Sequence, residues 1–162
     1  MPLSINKLEK KINLKFKNIK LLERSLTHKS YNPDVNYEKL EFLGDRILGL
    51  TVSNKLLEMY PEDKVGFLDK KLASLVNRSK CYQVAKSINL DEFILVGSSK
   101  NKNVKIVNKI ISDCCESLIG AIFLDHGLKI AEKFILKYWE PFIKETSTLL
   151  IDPKTKLQEY SL

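Results

Sequence analysis

The sequence is short of cysteine, histidine, glycine and proline, and each shortage removes a class of protein. Only Cys81, Cys114 and Cys115 occur. Their number is odd, two are adjacent and no CxxC is present, so neither a disulfide framework nor a thiolate zinc site fits. They read as small buried thiols in a reducing cytoplasm. Six Gly and five Pro are too few for a collagen-like or low-complexity chain. No apolar run approaches the ~18 residues of a transmembrane helix, so no membrane association is expected. The N-terminal MPLSINKLEKKINLKF alternates Lys with aliphatics and lacks the continuous apolar stretch of a secretion signal. Neither His28 nor His126 follows a Glu by three, which disfavours a di-iron carboxylate bundle with its Glu-x-x-His pairs.

What is present suits one soluble domain. The 162 residues are 44% hydrophobic and 29% charged, enough to bury a core without staples. Twenty-seven basic against twenty acidic residues leave +7, which favours a polyanionic partner. Helical periodicity dominates, and no period-2 strand pattern stands out. Ile5, Leu8 and Ile12 stripe a first helix with Ser4 as N-cap, and Ile19, Leu22 and Leu26 mark a second. SYNPDVNYEK reads as a loop. Long apolar-rich segments follow at about 37–59, at 66–87 with a break near Arg78, at 108–124 with Gly127 as the stop, and at 128–143. SSKNKNVK reads as a basic loop. The spacing predicts an all-α domain over residues 1–147. Residues 148–162 contain IDPKTKLQEYSL, with Asp152 at N-cap and Pro153 at the first helical position, and read as a linker and the opening of a further module.

The candidate chemistry lies in two of these helices. Glu38, Glu41 and Asp45 fall within a ~60° arc over ~10 Å of helix axis. Leu40, Leu43, Ile47 and Leu50 lie opposite, while Phe42, Leu48, Gly49 and Val52 flank or share the acidic face. An ordinary wet face is the usual reason for such spacing, but a helix apolar nearly all round is buried. Buried carboxylates are costly unless paired or metal-bound. The pattern recurs at Asp113 and Glu116 inside IISDCCESLIGAIFLD, with Ile111, Leu118 and Ile122 on the far side. Gly44, Gly49 and Gly120 share these segments, each at ~1 kcal/mol against Ala in a helix interior. They would let helices or a ligand approach closely. If the two stripes face each other, Glu41, Asp45, Asp113 and Glu116 converge. Four carboxylates in one dry site call for a hard divalent cation, Mg²⁺ or Mn²⁺. In a basic protein that combination points to metal-assisted phosphodiester chemistry. Lys105 and Lys109, in the basic run before Asp113, are candidate phosphate contacts. The N-terminal lysines read as solvent face, Trp139 as core, and His28 with Ser30 as helix-end hydrogen-bonding groups.

YEKLEFLGDRILGL (37–50) closely resembles the signature of the ribonuclease III family, the double-stranded RNA endonucleases. LTHKSY (26–31) is similar to a second family segment. NKIISDCCESLIGAIFLD (108–125) resembles the second acidic motif, and DPKTKLQEY (152–160) the start of the double-stranded RNA-binding domain that usually follows. The resemblance implies an all-α endonuclease-domain fold that works as a homodimer. It implies Glu41, Asp45, Asp113 and Glu116 as the Mg²⁺-holding carboxylates, with Mn²⁺ able to substitute and Asp45 and Glu116 named as catalytic. Glu38 matches an accessory acidic position that assists RNA processing. The implied activity is hydrolysis of double-stranded RNA to 5′-phosphate and 3′-hydroxyl ends, in rRNA and mRNA precursor processing, in the cytoplasm. One position departs: Val65 stands where many bacterial members carry an accessory Glu, with Glu62, Asp63 and Asp69 nearby. The competing readings are a non-catalytic structured-RNA-binding protein of the same fold and a structural helical protein with a basic surface. Phe42, Leu48 and Val52 are weighed as dimer interface against ordinary core.

Overall fold

The computed structural model describes residues 4–99, 102–103 and 106–148. Among these described residues seven α-helices follow one another: α1 Ile5–Ile12, α2 Ile19–Ser25, α3 Glu38–Met59, α4 Val65–Val76, α5 Arg78–Ser87, α6 Asn108–His126 and α7 Leu128–Glu145. The all-α expectation holds. Side-chain capping sets several boundaries. Ser4 accepts the Asn6 N–H at the start of α1, Asn18 accepts the Lys20 N–H at α2, and Asn77 accepts the Lys80 N–H at α5. Asn77 is itself extended (ψ 169°), which separates α4 from α5 at the break expected near Arg78. Gly127 ends α6 at φ +88°, where a side chain would strain the backbone.

Two short features escaped the sequence reading. Residues 90–93 form a 3₁₀ turn. Within the basic loop, β1 Ser98–Ser99 pairs antiparallel with β2 Lys102–Asn103. A two-residue ladder is too short for an alternating pattern to register.

The core is built around α6. Residues Ile110–Cys115 and Ser117–Ile122 are all buried, because α2, α3, α5 and α7 pack round this helix. The α3–α6 contact is the most extensive. All three cysteines are buried free thiols, as expected. Cys114 Sγ and Ser117 Oγ both donate to the Ser25 carbonyl, tying α6 to the end of α2. Trp139 is buried, and its indole N–H donates to the Leu75 carbonyl at 2.8 Å. The six N-terminal lysines between Lys7 and Lys20 are exposed.

The α3 expectation needs correction. This helix is not covered all round: Phe42, Leu50 and Leu57 are 62%, 56% and 58% exposed. They share a face with Arg46, directed away from α6, whose guanidinium stacks 4.0 Å from the centre of the Phe42 ring. Leu48 and Val52 are completely buried within the chain, so of the three residues weighed as interface only Phe42 is available. A single α-helical layer can be covered on one side by α6 and still leave its far side bare.

Candidate active site

The crossing of α3 and α6 is made by two glycines. A methyl group built on Gly44 would strike the backbone carbonyl of Glu116, and one on Gly120 would strike that of Leu40. Neither obstacle is a side chain that could rotate aside. The backbones therefore touch, and the residues flanking this point are brought together. Glu41 and Asp45 bracket Gly44 in sequence, and Asp113 and Glu116 precede Gly120 on one face of α6. Gly49 has open space around it and plays no part in the crossing.

Carboxylate oxygens of Glu41, Asp113 and Glu116 lie within 4.8 Å of one another, one oxygen from each. Asp45 lies beside Glu116 on the same cleft and helps to hold the Glu116 carboxyl high. It stands nearer the solvent, with Oδ2 3.1 Å from Arg46 Nη1. Glu38 is exposed and lines the same cleft without entering the triad. The cleft has a volume of about 420 Å³, and Phe42, Arg46, Arg78, Lys109 and Ser112 complete its lining. Lys109 Nζ is 2.6 Å from Asp113 Oδ2. Lys105 lies outside the described residues.

The electrostatics record the crowding. Burial raises the Glu41 carboxyl to about 7, reinforced by the charge of Asp113 and a hydrogen bond to it, while Lys109 pulls the other way. Glu116 is pushed up to about 10, first by burial and then by its hydrogen bond with Asp45. The buried Tyr37 is also raised, by burial first and the Asp113 charge second. Carboxyls held this far above their usual range at one point need either protons or a cation. The donors are all oxygen, and a divalent ion of the Mg²⁺ type suits them. The residues present therefore fit a hard metal ion.

Comparison with known proteins bears on the chemistry. A family model described as ribonuclease-III-like matches residues 18–141. The chain belongs to the ribonuclease III family. That membership places it with the ribonuclease III enzymes. Ribonuclease 3 of Pelagibacter ubique strain HTCC1062 is 56% identical over 156 residues, covering 96% of this chain and 70% of the relative. Ribonuclease 3 of Brucella canis is 44% identical over 157 residues, covering 95% of this chain and 64% of the relative. The chain thus spans about two thirds of the length of these relatives. A structure of the nuclease domain of ribonuclease III from Campylobacter jejuni superposes with a TM-score of 0.81 at 39% identity, over 87% of this chain and 99% of that one.

Three features of the site were not legible beforehand. Arg78 had marked only a helix break, yet it lines the cleft because α5 packs on α6. Arg46 had no partner in the sequence reading and pairs with Asp45. Val65 is exposed at the start of α4, and neither it nor Glu62, Asp63 or Asp69 lines the cleft. Asp63 is instead paired with the buried Lys71, 2.5 Å away. His28 and Ser30 are confirmed as hydrogen-bonding groups: His28 Nδ1 meets Ser30 Oγ at 2.7 Å, and that hydroxyl accepts the Gly97 N–H.

Among the described residues no helix is long and apolar enough to cross a membrane.

Proposed function

We propose that this chain is the catalytic part of an endoribonuclease that hydrolyses phosphodiester bonds in double-stranded RNA with Mg²⁺, leaving 5′-phosphate and 3′-hydroxyl ends. The observation that carries the reading is the meeting of Glu41, Asp113 and Glu116, with Asp45 alongside, in a cleft whose other charged members include Arg46, Arg78 and Lys109. Glu41, Asp45, Asp113 and Glu116 would hold the ion, Mg²⁺ or Mn²⁺. Bound there, it supplies an activated water and neutralises charge on the leaving oxygen. Glu116, half-buried, presents its carboxylate from the α3–α6 crossing, where its own backbone carbonyl meets Gly44. Asp45, half in solvent, would complete the ligand set from the open side of the cleft. Glu38, on the rim, assists near the scissile bond. Lys109 contacts phosphate, and Lys105 is assigned the same role on sequence grounds. Among the described residues no Ser/His/Asp or Cys/His arrangement offers a rival nucleophile: the three thiols are buried, burial raises Cys114, and a hydrogen bond with Cys81, then burial, raises Cys115.

The reading extends to a homodimer, with the exposed Phe42–Leu57 face of α3 as its apolar surface. It extends also to a nuclease unit over residues 1–147, to residues 148–162 as the opening of an RNA-binding module, and to rRNA and mRNA precursor processing in the cytoplasm. The Campylobacter jejuni relative is described as having a region involved in dimer formation, which supports the first of these.

The test is cleavage of a defined RNA duplex in Mg²⁺ and in EDTA, with the product ends read. Asp45→Asn and Glu116→Gln should each abolish cleavage while circular dichroism stays unchanged. Unaltered rates in either variant would refute the site. A wild-type protein that binds the duplex but neither binds Mn²⁺ nor cuts would favour the non-catalytic RNA-binding alternative.

A further inference from the structure

We infer that Lys109 is a resident counter-ion of the carboxylate cluster, displaced when a divalent cation binds and then passed to an RNA phosphate, so that metal occupancy and phosphate capture are coupled. The inference rests on the metal-dependent nuclease reading and deepens it.

The placement of the lysine is the first argument. Lys109, Asp113, Glu116 and Gly120 lie within about 60° of arc on α6, so the lysine stands one turn from the cluster on the same face. Its Nζ is 2.6 Å from Asp113 Oδ2. The Asp113 side chain is 10% exposed and that of Lys109 is 60% exposed. The ammonium therefore reaches the carboxylates from the open mouth of the cleft, where a metal ion and substrate would also enter.

Helix stability does not explain this residue. Lys109 sits in the first turn of α6, where the positive end of the helix dipole disfavours a cation. A lysine preceding its acid by four positions is also the weaker order for an ion pair on a helix. The lysine is in a locally unfavourable place and is held there by the carboxylates.

A divalent ion drawing on the same Asp113 oxygens would stand within a few ångströms of the ammonium, and like charges at that range repel. The long side chain can swing outwards. Outside the cluster the cleft presents Arg46 and Arg78, with Glu38 as the remaining acid on its rim. An ammonium driven there by the metal adds to a cationic mouth suited to phosphate. Because binding free energies are reciprocal, phosphate that holds Lys109 away from Asp113 also favours metal binding.

The experiment is a calorimetric titration of Mn²⁺ into RNA-free wild type, Lys109→Gln, Lys109→Arg and Glu116→Gln. Lys109→Gln should bind Mn²⁺ about fivefold more tightly, the factor that corresponds to an exposed ion pair of roughly 1 kcal/mol. Lys109→Arg should stay near wild type. In cleavage assays Lys109→Gln should need less Mg²⁺ for half-saturation and have a raised KM for the duplex. Its slope of log KM against log salt should be smaller by about one. Unchanged or weaker Mn²⁺ binding in Lys109→Gln would overturn the inference, as would an unaltered KM and salt slope. No Mn²⁺ binding in wild type, or undiminished binding in Glu116→Gln, would instead overturn the metal-site reading and the inference with it.

Discussion

Adding one methyl group at Gly44 should separate α3 from α6 and weaken both the fold and the metal site. The new Cβ of Gly44→Ala would press on the Glu116 carbonyl, a backbone atom that can retreat only if α6 moves. Overpacking a tight interior contact costs about 3 kcal/mol at the upper end of the usual range, and the better helix propensity of Ala returns about 1, leaving a net loss of about 2 kcal/mol. For a chain of this size that lowers Tm by about 4–8 °C. Gly49→Ala is the internal control. It adds the same methyl group to the same helix with nothing nearby, so it should stabilise by up to about 1 kcal/mol. Urea denaturation of both variants, with the m-value checked for constancy, measures the difference. Mn²⁺ titration then asks whether Glu116 has moved, and Gly44→Ala should bind the ion more weakly than Gly49→Ala. A Gly44→Ala protein as stable as wild type, or one that gains stability alongside Gly49→Ala, would refute the account of the crossing.

In EDTA, the wild type should lose stability between about pH 5 and 7 more steeply than Glu41→Gln. The folded value of Glu41 is about 7 against an ordinary 4.5, so in that window the folded state holds a proton that the unfolded chain has released, and rising pH favours unfolding. Urea midpoints at the two pH values test this; equal slopes for the two proteins would contradict it, and saturating Mg²⁺ should flatten the wild-type slope. Asp125→Ala should cost about 3 kcal/mol, because its almost fully buried carboxylate accepts the Lys17 and Asn18 N–H groups at 2.8 and 2.9 Å, and each such bond to a charged group is worth roughly 1.5–3 kcal/mol. Thermal unfolding would show it, and a loss under about 1 kcal/mol would count against the role. Phe42→Glu should shift the proposed homodimer towards monomer in sedimentation velocity, with helicity retained; an unaltered association constant would remove the α3 face from the interface.

Much of the fold and the identity of the acidic residues could be read directly from the chain. The start of α1 follows from the Ser4 cap, the course of α3 from its apolar spacing and the end of α6 from the stop at Gly127, all of which act within a few residues. The i, i+3 and i, i+4 spacing that aligns Glu41 with Asp45 and Asp113 with Glu116 is equally local. Other features depend on neighbours remote in sequence. Gly44, Gly49 and Gly120 look alike in the chain, yet only the first and last lie where two backbones meet. Phe42, Leu48 and Val52 are all apolar on one helix, and which of them is covered depends on where α6 lies. Arg78 enters the cleft because α5 packs on α6, and Asp125 is buried because the segment before α2 folds back over it. The sequence by itself determined which side chains share a helix face, since backbone geometry sets that residue by residue. Only the tertiary structure decided that two such faces touch, since close contact between helices is settled by the shape of surfaces far apart along the chain.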